Sequence, residues 1–178
     1  MAKQKVAYDE KAIQTLDALE HIRLRTGMYI GRLGDGSHPQ DGIYVMLKEV
    51  VDNSVDEFIM GEGRRIEIVR DGHTMSVRDF GRGIPLGKVV ECVSQINTGG
   101  KYNDDVFQFS VGLNGVGTKA VNALSSEFEV TSWRESKFVR AGFERGRLQQ
   151  EKKGKAPGEE ANGTFVRFTP DPEIFNEY

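Results

Sequence analysis

Cysteine is almost missing from this chain of 178 residues: there is one, Cys92, with three histidines. One cysteine excludes a disulfide framework and fits a reducing compartment, so a cytoplasmic protein is expected. Four dispersed Cys and His residues exclude a convincing zinc site. No apolar run approaches the length of about 20 residues needed to span a bilayer. The N-terminal MAKQKVAYDEK lacks the apolar stretch of a signal peptide, so no membrane partner is expected. An excess of positive charge is missing too. Lys and Arg number 24 against 27 Asp and Glu, a net charge of −3. That argues against this stretch being a main DNA-gripping surface, which carries a basic patch. Repeats and low-complexity tracts are absent.

What is present is glycine, 21 of them, set between periodic segments. Residues 1–18 read as a polar arm leading into a short helix over 19–26. A glycine-rich loop follows, GMYIGRLGDGSHPQDG. Ile43 to Met60 is strongly helical, ended by Gly61 and Gly63. RRIEIVRDGHTMSVRD reads as two strands about an Asp71-Gly72 turn. FGRGIP is a loop and LGKVVECVSQI a helix. Residues 98–117 are glycine-rich, and TKAVNALS continues as a helix. FEVTSWRE, KFVRAGFER and GTFVRFTP read as strands, with KKGKAPGEEAN a charged loop between the last two. Interleaved helices and hairpins predict an α+β fold, with helices layered on one sheet.

At about 100° per residue, Ile43, Leu47, Val50, Val51, Val55 and Phe58 share the face expected to pack on the sheet. Glu49, Asn53 and Asp56 fall opposite. Such a face is ordinarily just solvated. Yet Asp52, Asn53 and Ser54 are poor helix formers in mid-helix, and local physics does not ask for them. Chemistry does. Magnesium takes hard oxygen ligands and keeps several waters, so one Asn carbonyl plus phosphate oxygens suffices. Triphosphate hydrolysis needs a group that orients or deprotonates water near the γ-phosphate. Glu49, one turn before Asn53, is placed for that.

Asp79-Phe80-Gly81 shares three letters with a kinase metal triplet, but the other kinase motifs are missing. A carboxylate there can instead accept from an exocyclic amine, with glycines letting backbone approach a flat ring. Thr98-Gly99-Gly100-Lys101 is not a Walker A loop, because Tyr102 follows the lysine. Gly112-Leu113-Asn114-Gly115-Val116-Gly117 has the wrong spacing for a dinucleotide fingerprint. It still presents N–H groups to an anion ahead of a helix, and its glycines suit a mobile lid.

Taken in order, E-x-x-x-N on a helix, D-x-G-x-G, a glycine lid and G-T on a late strand resemble the GHKL ATPase superfamily. Gly27-Met28-Tyr29-Ile30-Gly31, Glu49–Glu57 (EVVDNSVDE) and Thr98–Ser125 (TGGK…GLNGVGTKAVNALS) resemble its type II DNA topoisomerase B-subunit branch, of the gyrase or topoisomerase IV kind. Likeness of the first two helices leans toward topoisomerase IV. The resemblance covers nearly the whole chain.

The resemblance implies a Bergerat-type two-layer sandwich, with helices on one face of a mostly antiparallel mixed sheet over residues 19–178. It implies ATP and magnesium as ligands. Glu49 corresponds to the general base and Asn53 to the magnesium ligand. Asp79 corresponds to the adenine-binding aspartate, with Asp56 in the same acidic run as Glu49. Glu57 and Arg82 correspond to an ion bridge beside the base, and Gly83, Ile84 and Pro85 to the pocket rim. Lys101 and Gly112, Leu113, Asn114, Gly115, Val116 and Gly117 correspond to the phosphate lid. Arg140 corresponds to an arginine at the pocket mouth, and Thr164 to a threonine near adenine. Tyr8 and Ile13 correspond to an arm reaching into a second protomer when ATP dimerises the protein. The A subunit and DNA would be met through parts outside this chain, where a transducer domain would follow. Phe107 in place of a lid tyrosine and Asn114 in place of a histidine depart from the pattern. The alternative is a GHKL clamp module of the mismatch-repair or chaperone type, against which G-M-Y-I-G and T-G-G-K argue.

Overall fold

A computed structural model describes residues 17–96, 116–176 and 178. The helices are α1 (Ala18–Leu24), α2 (Gly27–Ile30), α3 (Gly42–Ile59), α4 (Val89–Ser94) and α5 (Gly117–Ala123). The strands are β1 (Ile66–Asp71), β2 (Thr74–Asp79), β3 (Ser125–Arg134), β4 (Lys137–Glu144), β5 (Arg147–Lys155) and β6 (Gly163–Pro170). They form one sheet in the order β1-β2-β6-β3-β4-β5.

The α+β layering expected from sequence is the fold observed, with differences of detail. All five strand pairings are antiparallel, so the mixed component is missing among the described residues. The charged stretch expected as a loop from Lys152 begins as strand: β5 pairs Lys152 with Arg140 and Lys155 with Lys137. Its side chains are exposed along its length, so no apolar alternation announces it. Backbone pairing with β4 forms it, and lysines on an edge strand discourage further pairing. The loop around Met28 contains the one-turn helix α2, and the expected helix over 86–96 is a 3-10 turn (Leu86–Lys88) followed by α4.

Asp17 caps α1 through a reciprocal capping box with Glu20. The buried stripe of α3 runs through Ile43, Met46, Val50 and Ser54. Leu47 and Val51 pack partly against the core, but Phe58, expected inside, is 60% exposed. α3 and the other helices cover one sheet face. There Val77, Phe128, Val130, Val139, Ala141 and Phe168 meet Ile22, Met46, Val121 and Leu124. Alternation along β4 separates the faces: Val139, Ala141 and Phe143 are buried, while Arg140 between them is exposed.

A charged clasp ties the ends of several elements together. Fully buried Asp171 accepts from Arg23 Nη2 at 2.8 Å, Arg145 Nε at 2.7 Å and the Glu173 amide at 3.0 Å. Arg23 also donates to the Ala123 carbonyl at 2.8 Å, joining α1 to the end of α5. Burial alone would raise the Asp171 carboxyl, but Arg145, the Glu173 amide and Arg23 outweigh it and hold it below the ordinary carboxylate range. A depressed carboxylate adds stability above its unfolded pKa of about 3.9, and that stability is lost as pH falls through the folded value. Asp171→Asn is therefore expected to cost about 2 kcal/mol at neutral pH, less than a fully buried pair because both arginines reach water. In urea titrations the gap to wild type should close below about pH 3.9; a gap independent of pH would contradict this reading.

Candidate active site

The site lies where the polar face of α3 meets the loop after β2, the start of α5 and the start of β6. Asp79, the last residue of β2, is 6% exposed. Its carboxylate accepts three hydrogen bonds: from Ser54 Oγ, the Gly81 amide and the Thr164 amide, each at 3.1 Å. An ionised carboxylate offers about four acceptor positions, so capacity for one more donor remains. Burial pushes the Asp79 carboxyl above its ordinary range, while the Gly81, Thr164 and Ser54 donors oppose the shift.

Close packing fixes the neighbouring loops. A Cβ on Gly81 would strike Glu57, and one on Gly83 would strike the Trp133 carbonyl. Gly83 also has φ of +78°, a conformation that side chains resist. Ser132 Oγ donates to the Ile84 carbonyl at 2.7 Å, seating the loop on β3. Glu57 and Arg82 form the expected ion bridge. Arg82 Nε donates to Glu57 Oε2 at 3.1 Å and Nη2 to Oε1 at 2.8 Å, and the Arg82 amide adds a third bond at 2.8 Å. The side chains are 31% and 15% exposed, so the pair is held in the wall and not splayed into solvent.

On α3, one turn apart, stand Glu49 and Asn53, both partly exposed. Glu49 is packed against the start of α5: a Cβ on Gly117 would overlap its Oε2. The Asn53 side-chain amide donates to Thr118 Oγ1. Gly117 and Thr118 thus position both residues from the other side of the site. Asp56 is fully buried. The Asn53 carbonyl oxygen is a hard donor suited to magnesium. Among the described residues no three-member group of His, Cys, Asp and Glu could hold a metal.

The structure does not bring Arg140 to this group. It lies on the sheet face away from the helices, donating to Thr131 Oγ1 at 3.2 Å. Strand alternation decides this, because Val139 and Ala141 on either side point into the core. Arg134, at the end of β3, does reach the loop: its Nη1 donates to the Gly83 carbonyl at 3.3 Å. A faint signal for it existed in sequence: it directly precedes the Glu135-Ser136 turn, at the same end of the sheet as Gly163-Thr164. Lys101, Gly112, Leu113, Asn114, Gly115, Tyr8 and Ile13 lie outside the described residues. Val116 and Gly117 lead into α5, and Ile84 and Pro85 follow Gly83 along the loop.

A helix carrying Glu49 and Asn53, a buried aspartate ending a strand, and a glycine loop fixed between them can be compared with known proteins. The family model described as "Histidine kinase-, DNA gyrase B-, and HSP90-like ATPase" matches residues 38–174. The chain belongs to this ATPase family. Among curated relatives, the B subunit of DNA topoisomerase 4 from Borreliella burgdorferi is 63% identical over 96% of this chain and 28% of its own length. The B subunit of DNA gyrase from Thermotoga maritima is 40% identical over 96% of this chain and 27% of its own. The chain spans about a quarter of the length of these relatives. Among solved structures, the 43K ATPase domain of Thermus thermophilus gyrase B, in complex with an aminocoumarin, matches with a TM-score of 0.71 and 31% identity. That match covers 90% of this chain and 41% of the other. The fold of this chain is thus the two-layer fold of a gyrase B ATPase domain.

Proposed function

We propose that this ATPase-family chain binds ATP with its adenine amine on Asp79 and hydrolyses it with Glu49 as general base. On this reading it serves the B subunit of a type II DNA topoisomerase, of the topoisomerase IV kind. The observation that carries the reading is the Asp79 carboxylate: buried, held by three donors, and with room for a fourth. An adenine amine supplies that donor; a 6-oxo purine presents an acceptor at the same position. Thr164 and Gly81 fix the carboxylate, and the Glu57–Arg82 bridge presents a flat guanidinium beside the base. Glu49 accepts the proton of the attacking water. Asn53 would hold magnesium, which neutralises phosphate charge when bound; Thr118 keeps the Asn53 amide turned toward α5.

The relatives' names favour the topoisomerase reading over a repair or chaperone clamp. In that setting, ATP-driven pairing of two protomers, with Tyr8 and Ile13 in the crossing arm, would gate DNA passage, with the A subunit and DNA met through other parts of the protein. Arg134, not Arg140, is the arginine offered to the pocket mouth. No helix among the described residues is long and apolar enough to cross a membrane, and the proposed work on DNA is cytoplasmic. The test is strand passage. The full-length protein, mixed with its A subunit, should unlink or relax closed circular DNA only when ATP is supplied. Equal passage with and without ATP would refute the proposal.

A further inference from the structure

On the sheet face away from the helices, directly behind Asp79, stands a ladder of alternating cations and rings. The Arg78 guanidinium lies 4.3 Å from the ring centroids of both Phe80 and Trp133, and Arg65 lies 4.2 Å over Phe80. Register explains the placement. Arg78 pairs with Phe165 across β2 and β6, and Trp133 pairs with Gly163 across β3 and β6. Arg78 and Trp133 therefore face each other diagonally over Gly163, where the missing side chain leaves room for the guanidinium. A Cβ on Gly163 would overlap both Arg78 Nη1 and the Asp79 carbonyl.

The cation is nearly buried, at 7% exposed, and it is used. Nη1 donates to the Asp79 carbonyl, and Nη2 donates to the Ala161 carbonyl at 2.8 Å, with Glu160 3.7 Å away. These contacts bear on both backbone amides that hold the Asp79 carboxylate. Ala161 lies three residues before Thr164, and Phe80 lies directly before Gly81. A planar fork that bonds two carbonyls while stacking on two rings is a task that only arginine performs.

We infer that Arg78, backed by Trp133, is a positioning residue that sets base selectivity by fixing the Asp79 carboxylate and its Thr164 and Gly81 donors from the opposite face of the sheet. The inference rests on Asp79 being the adenine site. Arg78 touches no nucleotide in this arrangement. Loosening it should weaken the base contact and leave binding of the phosphates untouched.

The experiment is a calorimetric double-mutant cycle on the full chain, titrating non-hydrolysable analogues of ATP and GTP with magnesium. Guanine carries an oxo group where adenine carries its amine, so the ATP-to-GTP affinity ratio reports the Asp79 contact. Arg78→Gln should weaken the ATP analogue by roughly tenfold, about one lost buried hydrogen bond's effect, with GTP analogue binding unchanged. In an Asp79→Asn background, Arg78→Gln should add less than about twofold, because coupled residues are not additive. Trp133→Leu removes one stacking face but keeps both hydrogen bonds, so it keeps the test open should Arg78→Gln not fold. It should lower the ratio roughly threefold, within the range of a partly buried cation–π contact, and Trp133→Phe should restore it. If Asp79→Asn itself leaves the ratio at its wild-type value, the adenine reading fails and the inference with it. If Asp79→Asn lowers the ratio while Arg78→Gln and Trp133→Leu do not, the adenine reading stands and this inference is overturned. Equal weakening of both analogues would also overturn it, as the mark of general loosening.

Discussion

Glu49→Gln is expected to lower ATP turnover by roughly 10²–10⁴-fold, the usual contribution of an active-site base, while leaving ATP affinity within about twofold. The substitution is close to neutral for the fold. Glu and Gln have nearly equal helix propensity, the side chains have the same shape, and Glu49 is only partly buried. What changes is one atom. An amide cannot take a proton from water at neutral pH, whereas the seat against Gly117 remains available to either side chain. Phosphate release and calorimetry on the full-length protein separate the two effects. Wild-type hydrolysis by the Gln variant would remove Glu49 from its assigned role. Lost binding with intact turnover per bound nucleotide would place it in recognition.

Asp79→Asn should act on binding. One amide oxygen can keep the Gly81 and Thr164 donors, both of which address Oδ1. The Ser54 hydroxyl, which donates to Oδ2, can rotate and accept from the new amide nitrogen instead. The fold therefore tolerates the change, and replacing a carboxylate whose burial raises its pKa removes a desolvation cost. The proposed adenine contact should not tolerate it. An acceptor facing the adenine amine is exchanged for a donor, leaving polar groups mismatched at a cost of about 1–3 kcal/mol, or roughly 5- to 150-fold in affinity. Adenine-mimicking inhibitors should lose affinity in parallel, and thermal stability should stay level or rise slightly. Undiminished affinity for ATP and such inhibitors would put the base elsewhere.

These residues were legible because their spacing is local. Glu49 and Asn53 lie one helical turn apart, and Gly81 stands two residues after Asp79, close enough to fold back on it. The Glu57–Arg82 bridge joins two motifs 25 residues apart, so local spacing does not give it; it was expected only because the resemblance to the GHKL family implies it. Sequence failed where placement depended on strand alternation. Arg134 and Arg140 stand on neighbouring strands, and only the phase of β3 and β4 tells which one faces the pocket. Phe58 looked like core on the helical wheel, yet it lies in the last turn of α3 and is exposed. β5 carries no apolar alternation at all; an edge strand held by backbone pairing gives little signal of its own. The Arg78 ladder was invisible for a stronger reason. Phe80, Arg78 and Trp133 meet only through two strand registers and one glycine gap.

The most direct test of the central claim is calorimetry of the wild-type chain with non-hydrolysable analogues of ATP and GTP in the presence of magnesium. The Asp79 site predicts one saturable site per chain for the ATP analogue and binding of the GTP analogue weaker by roughly tenfold or more, the effect of an unmatched buried polar group. Equal affinity for the two analogues, or no saturable heat with ATP analogue, would contradict it.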